Sequence, residues 1–411
     1  MNLLVRVLLV TVALAISVNA ATIEVQPAGL TQSIQAALRV ASSGDTILVR
    51  PATYLEHSIL IDKSITLVGV DRPILDADGK GPLLEVVAPN VTISGFVFRH
   101  VPVSFVKEHA AILVNQTQGC EIKDNQFESN FFAVYLAKSD HCRIMRNQMS
   151  GTPTELTSAG NGIHLWYCRD IAISDNQIRG HRDGIYLEFV KHSVITNNIS
   201  ESNLRYGLHY MFSDSCRYQK NQFLSNGSGV AVMYTNNVEM EENSFANSWG
   251  GASFGLLLKD IKDSKVIGNL FSANSVGIQM EGSDRIQIER NQFLANGWAI
   301  KIMANCVGST IRSNDFIDNS FQVATNSRQS FSDFTENYWS SYRGYDLNRD
   351  GFGDEPFRPV SLYSLLVETE PASLILVRSL LIDLLNLAER IVPTLTPEAL
   401  IDGKPRMRPL T

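Results

Sequence analysis

The sequence predicts an all-β fold, a right-handed parallel β-helix solenoid with about 22 residues per coil. The first observation is a motif, apolar-x-x-Asn-x-apolar, that recurs ten times with its asparagines mostly 22 or 23 residues apart. The second is a strand-like element between the asparagines, such as "GIHL", "GIYL" and "GLLL", in which apolar and variable residues alternate. The third is the lack of a helical pattern between these elements, which favours short parallel strands stacked by right-handed crossovers. The repeated asparagines are Asn125, Asn147, Asn176, Asn198, Asn221, Asn243, Asn269, Asn291, Asn314 and Asn337.

The repeated asparagines and the aromatic residues that follow them have a structural explanation. Asparagine tolerates the unusual backbone angles of a tight turn, and amides stacked about 4.8 Å apart can hydrogen-bond along the stack. We expect the aromatic residues two positions later to stack inside the tube as core. They are Phe127, Phe223, Phe245, Phe271, Phe293 and Phe316.

Residues 1–20, "MNLLVRVLLVTVALAISVNA", have the pattern of a secretory signal peptide. One arginine precedes an aliphatic run, and Val18 and Ala20 fit the small-residue positions before a cleavage site. The run is short for a membrane span, so we predict a secretory signal peptide that is cut after Ala20 or Ala21.

Residues 21–45 are predicted to form an N-terminal cap, followed by the β-helix over residues 46–340. The cap contains an amphipathic helix in which one face carries Ile34, Ala37, Leu38 and Ala41. A solenoid exposes apolar coil ends, and such a helix can cover one of them.

Composition and cysteines exclude some classes of function. The formal net charge of −7 argues against a nucleic-acid partner, because phosphate binding needs a basic face. The five cysteines are odd in number and widely spaced, which does not suit a disulfide framework. We predict either buried free thiols or a single bridge between Cys120 and Cys142.

Residues 341–360 form an Asp-rich segment with two possible interpretations. Oxygen-bearing side chains are spaced as in a calcium loop, with Gly351 at the position of its sharp turn. The twelfth position is Phe357 instead of glutamate, so the alternative is a loop of Asx turns that caps the last coil. The candidate calcium ligands are Asp346, Asn348, Asp350 and Asp354.

Residues 361–411 are predicted to hold a C-terminal helix and a tail. The stretch 371–392 reads as one amphipathic helix with an unusually wide apolar arc. It is not a clean membrane span, because Arg378 and Asp383 would lie inside it. The helix could pack along the solenoid or present its apolar face to a partner at the membrane. The candidate docking residues are Leu374, Val377, Leu381, Leu384, Leu385 and Ala388.

Two outward columns of the repeated strands carry side chains that are unusual for bare surface. His209 and Met211 stand two apart on one strand, about 6.7 Å from each other and on the same side. Met233 follows Met211 one coil later, about 4.8 Å away. Imidazole and thioether donors suit Cu(I) better than zinc, magnesium or calcium. The candidate copper ligands are His209, Met211 and Met233, with His164 and Met303 in the same columns. The alternative is a patch that docks a partner protein or a sugar.

Three further stretches accompany the signal peptide and the asparagine repeats: "GLHYMFSDSC", "NYWSSYRGYDLNRDGFGDEPFRP" and "SLLIDLLNLAERIVPTLTPE". Together these features resemble the NosD family of periplasmic β-helix proteins of nitrous-oxide reductase maturation. The resemblance implies a periplasmic location and a non-catalytic accessory factor. Such a protein works with an ABC-type ATPase, its membrane permease and a lipoprotein copper chaperone to supply the copper–sulfide centre of the reductase. It also implies that the helix near 372–392 docks the permease and keeps the protein at the inner membrane.

Two other functions fit a β-helix. One is a polysaccharide-binding or polysaccharide-processing protein, which would be a lyase, a hydrolase or an epimerase. A hydrolase would need two carboxylates about 5 to 9.5 Å apart on one face. Asp183 and Glu188 are the nearest acidic pair of the outward face, and the NTDG, GHG, RIK and DPHD runs of known β-helix enzymes are absent from the sequence. The other possibility is a metal-free scaffold that binds the reductase.

Overall fold

The computed structural model describes residues 20–104, 106–152, 155–326, 331–377, 379–392 and 400–410. Three parallel sheets, named A, B and C in the order in which each coil meets them, form a β-helix of about 13 coils with about 23 residues per turn. The predicted fold class is confirmed. The signal peptide prediction falls almost wholly on residues 1–19, outside the described residues.

Sheet A has 14 strands, and each strand pairs in parallel with the strand one coil away. Its middle residues point into the tube, as Ile144, Ile173 and Ile195 do. The strands are Thr22–Val25, Thr46–Val49, Thr66–Gly69, Thr92–Ser94, Glu121–Lys123, Arg143–Met145, Ala172–Ser174, Val194–Thr196, Arg217–Gln219, Glu239–Glu241, Lys265–Ile267, Gln287–Glu289, Val307–Arg312 and Phe331–Thr335.

Sheet B has 13 strands and begins after a tight turn from sheet A. The strands are Thr53–Leu55, Ile74–Asp76, Val97–Arg99, Gln126–Glu128, Gln148–Ser150, Gln177–Arg179, Ile199–Glu201, Gln222–Leu224, Ser244–Ala246, Leu270–Ser272, Gln292–Leu294, Asp315–Ile317 and Tyr338–Trp339.

Sheet C has 12 strands, most of them longer, and its outer face carries the candidate site. The strands are Ile59–Ile61, Leu84–Val86, Ala110–Asn115, Phe132–Ala137, Ile163–Trp166, Asp183–Glu188, Tyr206–Met211, Ser228–Met233, Leu256–Lys259, Val276–Glu281, Trp298–Ile302 and Phe321–Thr325.

The ten repeated asparagines form one continuous ladder at the turn between sheets A and B. After Asn125, each buried side chain accepts from the backbone N–H and the amide of the asparagine one coil earlier, as Asn147 does from Asn125 at 3.1 and 3.2 Å. Burying these polar groups is therefore compatible with the core, because each has a partner. A second ladder, which the sequence analysis did not identify, lies between sheets B and C. It has two runs, Asn203–Asn226 and Asn274–Asn296–Asn319, with Ser248 on the coil between them.

The predicted phenylalanine stack lies inside the tube. Phe223, Phe245, Phe271, Phe293 and Phe316 stack in sequence, with ring centroids 4.7 to 5.4 Å apart. Phe127 is also buried but stacks on Phe98, since the next coil places Met149 in register with Phe127.

The N-terminal region contains a helix over Ile34–Val40, with Ser33 as its N-cap. The predicted apolar face is buried in the core through Ile34, Ala37 and Leu38. The strand Thr22–Val25 already pairs with Thr46–Val49. The stack of sheet A therefore starts before the boundary predicted at residue 46.

All five cysteines are buried and free, which confirms the prediction of free thiols over that of a bridge between Cys120 and Cys142. Cys120 and Cys142 are neighbours in adjacent coils, where a hydrogen bond between the thiols lowers the pKa of Cys120 and raises that of Cys142.

The C-terminal region corrects the prediction of one continuous helix over 371–392. An α-helix over Leu362–Thr369 comes first, then a 3₁₀-helix over Pro371–Leu376 and a second α-helix over Leu380–Ile391. The backbone is extended at Val377 and again at Ser379. This break allows both later segments to place apolar side chains on the same outer face of sheet C.

The remaining helix is a 3₁₀ turn over Leu156–Ser158. Among the described residues, no helix is long and apolar enough to cross a membrane.

The Asp-rich segment forms a loop whose side-chain oxygens accept from its own backbone. Asp346 accepts from the N–H groups of Asp350 and Gly351 at 3.1 and 3.0 Å, and Asp354 accepts from Leu347 at 2.7 Å. Asn348 accepts from the Asp350 N–H at 2.9 Å, and Asp350 accepts from Phe352 at 2.9 Å. These contacts favour the Asx-turn interpretation. A calcium ion at this loop stays a prediction.

Candidate functional site

The outer face of sheet C carries the two predicted columns in register. The first runs through Tyr135, His164, Tyr186, His209, Ala231, Leu257, Gln279 and Lys301. The second runs through Trp166, Glu188, Met211, Met233, Lys259 and Glu281.

His209 lies outside the tube but is nearly covered, with 6% of its surface exposed. The rings of Tyr186 and Tyr206 enclose it, with centroids 5.0 and 4.8 Å away. Its Nε2 atom is buried and has no hydrogen-bond partner among the described residues. An unpaired buried nitrogen costs free energy, and it is a ready metal ligand if the ring presents its lone pair there.

A buried ion pair holds the other side of the His209 ring. Asp183 is fully buried and accepts from the Nε of Arg205 at 2.8 Å and from its Nη2. The Arg205 Nη2 also lies 3.1 Å from the His209 Nδ1, and an Asp183 oxygen lies 3.6 Å from that nitrogen. Burial opposes ionisation of Asp183, but the hydrogen bonds that Arg205 donates outweigh it and lower the pKa of the carboxyl.

This geometry defines what His209 must do to bind a metal through Nε2. A guanidinium only donates, so the Nδ1 contact with Arg205 leaves the proton of the neutral ring on Nε2. Binding through Nε2 requires the proton on Nδ1, where Asp183 is the available acceptor. Arg205 would then have to withdraw from Nδ1.

Met211 and Met233 are direct neighbours on adjacent strands and are both half-buried. Met233 packs against an apolar cluster that includes Ala231, Leu257 and Ile382. Glu188 precedes the pair in the column and Lys259 follows it. The structure therefore brings His209, Met211 and Met233 together on two coils.

The other two predicted copper ligands lie apart from this group. His164 is one strand beyond Tyr186, stacked between Tyr135 and Tyr186 at 4.6 and 4.8 Å. Its Nδ1 contacts the Asn161 amide at 3.1 Å, and burial lowers its pKa to about 4. Met303 lies beyond Glu281 in the column and lines a separate shallow pocket with Asn305 and Asn326.

No three described His, Cys, Asp or Glu side chains come together as a metal site. A site on this face would therefore depend on the thioethers of Met211 and Met233. Sequence reasoning missed the Asp183–Arg205 pair, for which the signals were "HRDG" and, one coil later, "LRYG". It also placed Asp183 on the open outward face as half of an acidic pair with Glu188, which is wrong because Arg205 and the Tyr206 backbone cover the carboxylate.

The C-terminal helices divide the predicted docking residues into two groups. Leu385 packs on sheet C together with Leu376 and Ile382, and Ala388 is half-buried. Four others are exposed, with Leu374 at 46%, Val377 at 43%, Leu381 at 50% and Leu384 at 54%. Ile375, Leu380, Leu387 and Ile391 are exposed as well. Arg378 lies outside the described residues.

Comparison with known proteins identifies the family of this chain. Residues 145–348 match the family model described as "Periplasmic copper-binding protein (NosD)", a segment that contains His209, Met211 and Met233. The chain belongs to the NosD family.

Two NosD relatives extend the similarity over most of the chain. The "Probable ABC transporter binding protein NosD" of Pseudomonas aeruginosa is 29% identical, over 82% of this chain and 85% of the relative. The protein of the same name in Stutzerimonas stutzeri is 25% identical, over 87% of this chain and 86% of the relative.

A solved structure supports the fold alone. The A-module of the mannuronan C-5 epimerase AlgE4 of Azotobacter vinelandii superposes with a TM-score of 0.53 at 14% identity. The match covers 74% of this chain and 89% of that chain. This likeness shows that the chain shares the β-helix fold of that module and says nothing about its activity.

Proposed function

We propose that this protein is a periplasmic accessory protein that relays copper to the copper centre of nitrous-oxide reductase. Copper is its cargo, received from a lipoprotein chaperone and passed on with the help of an ABC-type ATPase and permease. The observation that carries the proposal is the adjacent pair Met211–Met233, with His209 two residues before Met211 on the same strand and its Nε2 without a hydrogen-bond partner among the described residues.

The donor set suits a relay. Two thioethers and one imidazole are soft ligands that favour Cu(I) over harder cations. Thioethers lose no proton on binding, so the only proton to rearrange is that of His209. Three neutral ligands give the ion no charge compensation, which favours weak binding and ready release. His164 and Met303 take no part, because each lies on other coils.

The exposed apolar face of the C-terminal helices supports docking to the permease. Leu381 and Leu384 are about half exposed although the neighbouring Ile382 packs on the solenoid. Exposed apolar side chains in such number on two neighbouring segments are typical of an interaction surface. A protein with no spanning helix among its described residues would then stay at the inner membrane through its partner.

The copper content of the reductase tests the proposal. Nitrous-oxide reductase is purified from cells in which the native gene carries Met211→Leu/Met233→Leu, and copper per protein is measured. We expect at least a tenfold lower content of the copper–sulfide centre than in wild type. Met303→Leu is the matched control, because it makes the same chemical change outside the group. A fully loaded reductase in the double variant would leave the protein as a metal-free scaffold and refute the relay.

A further inference from the structure

Four aromatic side chains form a stacked ladder on the outside of the tube, at the turn that follows sheet C. They are Tyr167, Phe189, Phe212 and Tyr234, on four consecutive coils. Successive ring centroids lie 4.5, 5.2 and 5.1 Å apart, with interplanar angles of 20°, 10° and 16°. Phe212 and Tyr234 are 39% and 41% exposed.

Neither the backbone nor the core explains aromatic residues at these positions. All four have φ between 51° and 56°, the left-handed region that bulky side chains rarely adopt. The same column on the flanking coils has the same backbone but carries residues of other kinds. They are Gln116, Lys138, Asp260 and Gly282. The turn therefore does not require an aromatic ring. A ring there is disfavoured both by the left-handed backbone and by its exposure to water.

The stacking decides what kind of ligand the ladder suits. The rings of Phe189 and Phe212 each have both faces covered by neighbouring rings. Sugars and cations bind the open faces of aromatic rings, and these faces are closed. What the ladder offers is a strip of ring edges across four coils, which suits flat apolar contact with another protein.

The ladder lies directly beside the methionine pair. Each of its residues immediately follows a residue of the second column, so that Phe212 follows Met211 and Tyr234 follows Met233. On the opposite side, an apolar cluster that includes Ile382 of the last helix covers Ala231 and Leu257 of the first column and packs against Met233. The ladder thus flanks the methionine pair on the side away from this cluster, and a protein that lies on the ladder can reach the pair.

We propose that Tyr167, Phe189, Phe212 and Tyr234 form the docking strip for the copper chaperone, a protein that carries Cu(I) on soft ligands and loads the Met211–Met233 pair. This inference rests on the proposed function, because it identifies where the donor of the copper sits. Ligand exchange between two proteins needs their metal sites in contact, and the strip holds the donor over the thioethers.

The test compares a protein donor with a donor that cannot dock. Phe189→Asn/Phe212→Asn removes the middle of the strip and introduces a residue that tolerates the left-handed backbone, so the melting temperature should not fall. Cu(I) is supplied either as the loaded chaperone or as its bicinchoninate complex. We expect loading from the chaperone to slow at least tenfold and the affinity measured with bicinchoninate to stay unchanged. Asp260→Asn, in the same column beyond the ladder, should behave as wild type with both donors.

The outcomes separate this inference from the function on which it rests. Equal loading of the variant and wild type by the chaperone would overturn the docking strip. Normal chaperone loading with slower transfer to the apo-reductase would also overturn it, and would assign the strip to the acceptor. Met211→Leu/Met233→Leu should lose copper from both donors yet bind the chaperone with wild-type affinity. Copper retention in that variant would refute the relay itself.

Discussion

Asn337, the last member of the asparagine ladder, donates both its backbone N–H and its side-chain amide to one oxygen of Asp402, at 3.0 Å each. The indole of Trp339 donates to the same oxygen at 3.0 Å. The carboxylate of the C-terminal tail thus takes the place that the next asparagine would occupy. Residues 400–410 close the open end of the β-helix.

Replacing Asp402 should test this closure. Asp402→Ala leaves three buried donors without an acceptor and should cost about 3 kcal/mol of unfolding free energy. Asp402→Asn keeps an acceptor oxygen of the kind used throughout the ladder and should cost about 1 kcal/mol or less. Urea unfolding measures both. An Asp402→Ala variant as stable as wild type would show that the ladder ends at Asn337 and that the tail is not needed.

Two buried histidines should make the protein lose stability in mild acid. Burial lowers the pKa of both His164 and His181 to about 4. The unfolded chain binds protons near pH 6.5 and the folded chain does not, so stability falls as the pH drops from about 6.5 to about 4. Each histidine should contribute about 1 kcal/mol per pH unit in that window. Urea midpoints between pH 7.5 and 4.5 measure the slope, and His164→Gln/His181→Gln should be flatter. An unchanged slope would contradict this assignment.

The Asp183–Arg205 pair should be needed for stability and for the position of His209. Asp183→Ala leaves the Arg205 cation half-buried without its partner and should cost about 2 to 4 kcal/mol. Asp183→Ala/Arg205→Met removes both charges and should recover part of that loss. Thermal unfolding compares the two. A double variant no more stable than the single one would mean that the unpaired charge of Arg205 does not cause the loss of stability.

The pH range of the Asp183 contribution separates it from that of the histidines. Its folded pKa is lowered, so the stabilisation is present above the unfolded value near 3.9 and is lost as the pH falls through the folded value. Between pH 7 and pH 5 the wild-type protein and the double variant should therefore show the same slope of stability against pH.

The exposed C-terminal face should bind the permease without stabilising the fold. Leu381→Ser/Leu384→Ser changes two half-exposed side chains and should alter stability by no more than about 0.5 kcal/mol each. The variant should nevertheless fail to co-purify with the permease. Leu204→Ser/Leu294→Ser, at exposed leucines elsewhere, is the matched control. Co-purification at the wild-type level would rule out this face as the docking surface. A truncation from residue 372 is a poorer test, since it also removes Asp402.

Repetition explains which parts of the fold could be predicted from the sequence. Asn147 and Phe245 each have equivalents on neighbouring coils, so their spacing alone places them in a ladder and a stack. Asp402 has no repeat equivalent and reaches Asn337 across 65 residues, and no local pattern indicates such a contact. The break at Val377 depends on packing against sheet C, which the apolar periodicity of residues 371–392 does not reveal.

The candidate site was only partly predictable for a similar reason. The period-2 pattern places His209, Met211 and Met233 on one outer face, and the register agrees. The burial of His209 comes from Arg205, in the turn before the strand, and from Tyr206, at the start of the strand. At these positions periodicity carries no information on side-chain direction. The exposed aromatic ladder could be recognised only from the φ angles and the ring planes of the structure.

A competitive Cu(I) titration of residues 21–411 against bicinchoninate decides whether this face binds copper. Wild-type protein, Met211→Leu/Met233→Leu and the control Met303→Leu are compared. We expect one Cu(I) to bind wild type and the control alike, and the double variant to bind at least tenfold more weakly. Equal affinity in all three proteins would show that copper binds elsewhere, and that the methionine pair is only a contact surface.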